Sequence, residues 1–521
     1  MKFRTWWAIS LLLASAQGAQ AQWRELTVGS EAELYVRAMQ LRGVWEGEGT
    51  AIRPYGPEVV RRWMRDSVPA HPWRARFVAD SDALTVLRPS ISLGYNSAFP
   101  WGYNDGAVWA GRGLTTSATA GVAASWRWFS VRLEPVAFRA ENRGFPLLGD
   151  TTRGANPFVD QQRPGSIDLP QRFGRGSYQR IDLGQSEVRA DLGPLAVGFS
   201  SMNQFWGPGI AHALTLTANG PGIPRLFIGT ARALVTPIGR INVQLLYGKL
   251  AASGYEPAVA EQDRFASGMV ASWQPRSGKG FELGFTRFYH RFWPTGGLRV
   301  GDLTVPFGSL FKDLQSFDGG PADNQLASLF ARWRGEESGF EVFGEFGRTD
   351  RAIDLRDLAL EPEQNSAWYL GAAKSIQAAG DVLYLIRAEY VNGGISSIQR
   401  LARGQATYYE HTPITQGHTQ RGQLLGTPLL ERTGGLELAV DRWASWGRLG
   451  ATLMQRALPE DEGEGVRRVA ARSQWYSEAS LVRFVGRYEL FGQGGLVFDL
   501  NRRPGHDETN LHLQAGVRVG F

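Results

Sequence analysis

The side chains able to do chemistry are few and scattered: the 521 residues include seven histidines and no cysteine. His-Glu-x-x-His, the phosphate-binding Gly-x-x-x-x-Gly-Lys, the nucleophile-elbow Gly-x-Ser-x-Gly and calcium-loop spacing are all missing. His411 and His418 are an odd number of residues apart, so a strand would send them to opposite faces, and a shared metal would need a loop between them. Solvated loop histidines are the simpler expectation there, with His506 also in a loop and His512 on a lumen-facing strand position. The runs Asp318-Gly319-Gly320-Pro321-Ala322-Asp323 and Glu460-Asp461-Glu462-Gly463-Glu464 offer hard oxygens to Ca²⁺, yet read more simply as solvated loop tips. A hydrolase at a lipid interface would need a Ser, His and acid set, and the sequence assembles none. The expectation is a protein that is not an enzyme and has no metal or cofactor.

Recognition chemistry is better represented. Phe205-Trp206-Gly207-Pro208-Gly209 runs on to Leu214-Thr215-Leu216-Thr217-Ala218-Asn219-Gly220-Pro221-Gly222-Ile223-Pro224. Pro fixes φ and Gly supplies φ > 0, so this is a rigid loop holding a Trp. A fixed ring can stack on the C–H face of a sugar, and it can equally be turn or girdle packing. Arg143, Arg153, Arg163, Arg172, Arg175 and Arg180 share one long segment with Tyr178, and Trp101 and Tyr103 precede it. Guanidinium groups pair with carboxylates in bidentate fashion, although Asp150, Asp160, Asp168 and Asp182 offer the same arginines an internal balance.

What positions these loops follows from composition and period. The 64 glycines exceed the usual ~7% share, and a chain without cysteine has no disulfide, thiolate metal site or N-terminal lipid anchor. A formal charge of +6 on so long a chain is no nucleic-acid signature, though it suits an acidic ligand or lipopolysaccharide phosphates. Mean hydropathy is −0.25, and no apolar run reaches the ~18 residues of a membrane helix. Lys2 and Arg4, the apolar run Trp6 to Ala14 and the box Ala19-Gln20-Ala21 read as a signal peptide cleaved before Gln22. Ser30 and Glu33 form a capping-box pair ahead of helically spaced Leu34, Ala38 and Leu41, with Gly43 as the stop, and Pro57 to Met64 reads as a second short helix.

Beyond Leu84 the period becomes two. Leu511, Leu513, Ala515, Val517, Val519 and Phe521 alternate with Asn510, His512, Gln514, Gly516, Arg518 and Gly520. Leu436, Leu438 and Val440 alternate likewise with Glu437, Ala439 and Asp441, and the pattern recurs from Val382 to Tyr390. Counting back from Phe521, short turns fall near Gly486, Ser445, Ala379, Glu337, Ser277, Pro237, Gly193 and Arg127. Longer stretches lie between them at 501–507, 458–469, 392–432, 350–365, 291–323, 251–265, 201–224, 142–184 and 100–111. Strict alternation of short turns and long loops belongs to outer-membrane barrels. The reading is an all-β protein: a transmembrane antiparallel β-barrel of about 18 strands over 84–521, after a signal peptide (1–21) and a small N-terminal periplasmic helical segment (22–83). Trp126, Trp128, Trp443, Trp446, Tyr488 and Phe521, at or beside the turns, are expected to form an interfacial girdle.

The Trp-Gly-Pro-Gly run with its downstream Leu-x-Leu-x-x-Asn and Pro-x-x-Pro resembles the signature loop of the Wzi family of capsule-assembly outer-membrane proteins. A second block, Tyr408-Tyr409-Glu410-His411 through Gly417-His418-Thr419-Gln420-Arg421-Gly422-Gln423-Leu424-Leu425-Gly426, is similar to another segment of that family, with His418 at its aromatic position. Thr286-Arg287 after Gly284-Phe285 also fits. The resemblance implies an 18-stranded outer-membrane barrel with periplasmic helices, whose loops act as a surface lectin anchoring capsular or other long-chain polysaccharide. The candidate ligand residues are Trp101, Tyr103, Arg172, Arg175, Tyr178, Trp206, Asn219, Tyr409, His411 and Arg421. Expected partners are the polysaccharide, outer-membrane lipids with lipopolysaccharide, and the barrel-assembly machinery through C-terminal Phe521, with the protein a monomer. The alternative is a porin-like diffusion channel using lumen arginines such as Arg518, Arg387 and Arg332.

Overall fold

The structure, a computed structural model, describes residues 26–45, 48–65, 73, 84–148, 158, 167–255, 261–307, 323–335, 337–349, 356, 365–394, 408–411, 413–430, 433–458, 472–503 and 505–520. The segment 1–21 expected to be a signal peptide, Phe521, Arg153, Arg163, Asp150, Asp160 and the acidic runs at 318–322 and 460–464 lie outside the described residues.

Eighteen antiparallel strands close into one barrel. In chain order they are β1 (Thr85–Asn96), β2 (Gly113–Trp126), β3 (Phe129–Leu133 continued by Val136–Ala140), β4 (Tyr178–Asp182 continued by Glu187–Leu192), β5 (Leu195–Ser200) and β6 (Arg225–Thr230 continued by Leu234–Thr236). There follow β7 (Gly239–Leu250), β8 (Arg264–Pro275), β9 (Phe281–Phe292), β10 (Asp323–Arg334), β11 (Phe340–Thr349) and β12 (Ser366–Gln377). The last six are β13 (Leu383–Asn392), β14 (Gly434–Ala444), β15 (Gly447–Leu458), β16 (Arg472–Val485), β17 (Tyr488–Arg503) and β18 (His506–Val519). Each strand pairs with the next, and β18 returns to β1 with Arg518 opposite Ser90 and His512 opposite Asn96. Closure leaves no sheet edge unpaired, which a strand crossing a bilayer requires. Among the described residues no helix is long and apolar enough to cross a membrane.

The period-two faces sort as the sequence indicates. On β18, Leu511 and Leu513 are exposed on the outer wall while Asn510 and His512 are buried inside; on β14, Leu438 and Val440 face out while Glu437 and Asp441 face in. The short connections stand where expected, from Trp126/Phe129 round to Val485/Tyr488. Arg127, Gly193 and Gly486 adopt positive φ at three of them, as tight turns demand.

Three details differ from the sequence reading. The last connection is not a loop over 501–507: β17 runs to Arg503 and β18 starts at His506, with Asn501 at φ 58°, Gly505 at φ 72° and a register shift between Asp499 and Arg503 absorbing the turn. His506 therefore heads a strand. The segment 142–184 is a shorter loop, because Tyr178–Asp182 pairs with Val136–Ala140 and extends the wall. Trp443 belongs to no girdle. It lies inward on β14, fully buried against Tyr35 and Trp73, whereas Trp126, Trp128 and Tyr488 are exposed near the turns.

Three segments fill the interior. At the short-turn end lies α1 (Glu31–Leu41), capped by Ser30 Oγ, which accepts from Glu33 N at 3.3 Å, followed by α2 (Pro57–Arg65). Tyr35, Trp45, Trp63 and Trp73 make an aromatic core there, and Trp73 Nε1 donates to the Ala444 carbonyl at 2.8 Å. The loops 201–224 and 408–430 fold into the lumen from the other end. Ile52 and Arg53 pair with Trp206 and Phe205 as a two-stranded ribbon, joining the helical segment to the first loop. Wall carboxylates receive the plug: Glu282 accepts from Thr50 N, Glu345 from Leu214 N, Glu389 from Ala211 N, and Glu341 pairs with Arg37 at 2.9 Å. Charges this deep persist because each meets a partner.

Candidate functional site

At the long-loop end the filled lumen leaves a cleft of about 250 Å³. Its lining includes Phe99, Trp101, Tyr103, Asp105 and Trp109 from the β1–β2 loop, Asn219 from loop 201–224, and Arg456, Arg472, Gln474 and Arg502 from the ends of β15, β16 and β17.

The β1–β2 loop is held along its whole length. Asn96 Nδ2, at the end of β1, donates to the carbonyls of Trp101 at 2.9 Å and Ala110 at 3.1 Å, tying the two sides of the loop together. Asn510 Oδ1 accepts from Ala98 N, Asn219 Oδ1 from Asn104 N, and Arg180 Nη2 donates to the Ala107 carbonyl. Aromatic side chains on a fixed backbone offer contact area at little entropic cost.

Trp101 leans on Tyr476 at 5.1 Å between ring centroids, and the Arg456 guanidinium lies 5.7 Å over the Trp101 ring. Arg456 Nε also donates to Gln474 Oε1 at 3.0 Å. Arg502 covers Phe99 at 4.0 Å. Asp499 receives both Arg472 and Arg502, at 2.6 and 2.9 Å. Burial, helped by the Glu478 carboxylate, pushes the Asp105 carboxyl up to about 7, and burial likewise raises the Tyr103 phenol. The cleft thus combines ring faces, amides and guanidinium groups. Such a set suits a polar ligand with C–H faces and acidic substituents.

No protein-family model matches the sequence, and no curated protein matches it. Among solved structures, Wzi of Escherichia coli, an outer-membrane carbohydrate-binding β-barrel involved in group 1 capsule assembly, superposes with a TM-score of 0.64 at 13% identity, over 95% of this chain and 99% of that one. The chain has the Wzi fold. It is a closed antiparallel barrel of 18 strands. Acinetobacter baumannii OccAB1 gives a TM-score of 0.42 at 7% identity, covering 84% of this chain and 96% of that one. A BenF-like porin from Pseudomonas fluorescens Pf-5 gives 0.35 at 9% identity, covering 84% and 99%.

On this Wzi-like barrel the sequence-derived candidates separate into three groups. Trp101, Tyr103 and Asn219 line the cleft. Arg172, Arg175 and Tyr178 follow the cleft residue Gln171 along its loop. Arg172 donates to the carbonyls of Asn142 and Arg175, Arg175 is exposed, and Tyr178 stacks on Phe173 at 4.5 Å beside Trp109. Arg421 pairs with Asp182 at 3.2 Å, and half-buried His411 accepts from Ile414 N. Trp206 and Tyr409 are instead fully buried: Trp206 packs on Phe288, and Tyr409 donates to the Leu214 carbonyl while stacking on His418 at 5.4 Å. The two motif blocks therefore meet each other in the lumen rather than presenting rings to solvent.

His418 is no solvated loop histidine. It is sealed in, its Nε2 sits 2.6 Å from the Thr215 carbonyl, and burial lowers its pKa to about 4, leaving it neutral. His512 is buried on the lumen face as expected. His212 lies between Thr427 Oγ1 at 2.7 Å and Glu437 Oε2 at 3.1 Å. A hydroxyl, imidazole and carboxylate in line resemble a nucleophilic set; all three side chains are buried, and the arrangement fastens the two inward loops to the wall. Among the described residues no cluster of His, Asp and Glu has metal-binding geometry.

The sequence reading missed Phe99, Trp109, Arg456, Arg472, Gln474 and Arg502. Arg456, Arg472 and Gln474 carry a legible signal in retrospect, even-numbered inward parity on strands flanking a long loop, whereas β17 turns its odd positions inward and Arg502 joins the cleft only through the register shift after Asp499.

Proposed function

We propose that the chain is a non-enzymatic surface lectin that anchors or assembles capsular or other extracellular polysaccharide. The observation that carries this reading is the cleft itself: an aromatic and arginine-lined recess on a stapled loop, over an interior packed with protein. In this arrangement the long loops face the exterior, and the short turns and helical segment face the periplasm. Trp101, Tyr103 and Trp109 stack on sugar rings, Asn219 and Gln474 bond hydroxyls, and Arg456 pairs with uronate or pyruvate carboxylates. Arg172, Arg175 and Tyr178 frame the rim with His411 and Arg421, while Trp206 and Tyr409 support it from below. Wzi, which shares the fold, is a carbohydrate-binding barrel of capsule assembly.

The test is capture of surface polysaccharide from the native bacterium by the detergent-purified protein on a glycan array or in a pull-down. Retention that falls with Trp101→Ala supports the reading, and absence of retention counts against it.

One observation favours the second reading, a diffusion channel. A further cavity of about 260 Å³, lined by Ser30, Arg37, Arg387, Glu437 and Arg448, shares Tyr103 and Asp105 with the cleft. The lumen cations are neutralised, however: Arg332 by Glu341, Arg387 by Asp441 and Arg518 by Glu489. A steady open pore in planar bilayers without glycan affinity would favour the channel.

A further inference from the structure

One patch of the outer wall breaks the pattern of lipid-facing residues. On β9 the inward positions are Thr286, bonded to Thr215 of the plug, and Phe288, packed on Trp206. Arg287 and Tyr289 therefore point outward. By the same parity Phe265 and Ser267 on β8, beside inward Arg264 and Ala266, and Gln325 on β10, beside inward Leu326, also point outward. Elsewhere the outer wall carries exposed aliphatic side chains such as Leu329, at 69% exposure. Here the outward residues are buried: Phe265 2%, Ser267 1%, Arg287 5%, Tyr289 2% and Gln325 4%.

The cover is the segment after β9. A 3-10 helix, Val300–Phe307, lies back on the outside of the wall, where Tyr247 OH donates to the Leu303 carbonyl at 2.8 Å and Arg287 Nη1 to the Pro306 carbonyl at 3.3 Å. Arg291 pairs with Asp302, and Trp293 packs on Phe265 at 6.0 Å. Pro306 faces the wall and is buried, whereas Val300 is 82% exposed, Leu303 45% and Phe307 62%. Thr304, also on the outer side, satisfies its hydroxyl on the Gly301 carbonyl. An arginine on the lipid side of a barrel is destabilising, and a backbone in hydrocarbon must have its polar groups satisfied. Arg287 lies midway along β9, between Met269 of β8 and Ala327 of β10 in register.

We propose that Val300–Phe307 is a membrane-embedded element of the outer wall, and that its partner is the acyl chains of the leaflet at the long-loop end. It roofs the polar patch around Arg287 and presents Val300, Leu303 and Phe307 on the outside in its place. This holds whatever the loops bind.

The absence of native cysteine makes the test direct. Val300→Cys and Leu303→Cys are each spin-labelled in the full barrel, reconstituted in vesicles of phosphatidylethanolamine and phosphatidylglycerol. Power saturation then compares collision with oxygen, which concentrates among acyl chains, and with a water-soluble nickel chelate. Leu329→Cys on the bare wall and Glu261→Cys on an exposed loop are the references. The expected oxygen-to-nickel ratio at 300 and 303 matches that at 329 and exceeds that at 261 several-fold. A ratio like that at 261 overturns the proposal. So does low collision with both reagents accompanied by spin–spin broadening, which would place a second copy of the chain on this face.

Discussion

Arg37 Nη2 stands 2.9 Å from Glu341 Oε1, joining α1 to β11 with both side chains sealed inside the barrel. Arg37 also donates to the Pro208 carbonyl of the loop entering from the opposite end, so one guanidinium links helix, wall and loop. Glu341 keeps Arg332 at 2.6 Å, so losing Arg37 costs less than a fully unpaired buried charge would, on the order of 2 kcal/mol. Arg37→Ala should lower stability by that order in urea unfolding from lipid vesicles. Arg143→Ala, whose pair with Glu141 is exposed, should produce no measurable change.

Trp206 is the ring on which loop 201–224 closes the lumen. Its edge meets Gly268, where any Cβ would lie 2.9 Å from the indole, so the fit tolerates no side chain there. Trp206→Ala should cost roughly 3–5 kcal/mol through the cavity left behind. Planar-bilayer recordings should show openings that the unmodified barrel lacks, and equal conductance in both would show that Trp206 does not hold the plug.

In the cleft, Trp101 and Arg456 act as a pair: the ring stacks and the cation sits above it. Such contacts are each worth about 0.5–1.5 kcal/mol, so Trp101→Ala should weaken glycan binding by roughly tenfold. Arg456→Gln should weaken an acidic glycan more than its carboxyl-reduced counterpart. Titration calorimetry with both forms separates the two contributions.

Asp105 gives the cleft a pH dependence. Its carboxyl titrates at about 7 because of burial and the Glu478 charge, well above the ~3.9 of a free aspartate. Between those values the folded chain holds a proton that the unfolded chain has lost. The stabilisation is therefore complete below about pH 4 and is lost as pH rises through 7. An acidic ligand meets a neutral Asp105 at pH 6 and a charged one at pH 8, so affinity for an acidic glycan should fall several-fold over that interval. Asp105→Asn should flatten the profile, and a neutral glycan should show no slope in either protein.

The barrel was legible because its signals are repetitive. Each hairpin states the same alternation, and a tight turn needs residues such as Gly193 or Gly486 that show in the sequence. The site was legible only in part. Trp101, Tyr103 and Asn219 were found because loop aromatics and the motif amide stand out, but the same logic nominated Trp206 and Tyr409, which the loops carry inward. Nothing local tells a rigid loop outside a barrel from one folded into it. That direction is set by distant partners: Glu345 for Leu214, Glu389 for Ala211, and the ribbon between Ile52 and Trp206. Trp443 misled for a related reason: its place near a turn suggested a girdle, while the parity of β14, already readable from Leu438 and Val440, points it inward.

The central claim is that the long-loop cleft binds polysaccharide, and the most direct measurement is titration of the reconstituted barrel with purified surface polysaccharide from the native bacterium. The protein, the Trp101→Ala/Arg456→Gln variant and a Leu329→Cys wall variant would be compared. The account predicts saturable binding that the wall variant retains and the cleft variant loses by tenfold or more. Equal binding by all three, or binding by none alongside a steady ion conductance, would contradict it.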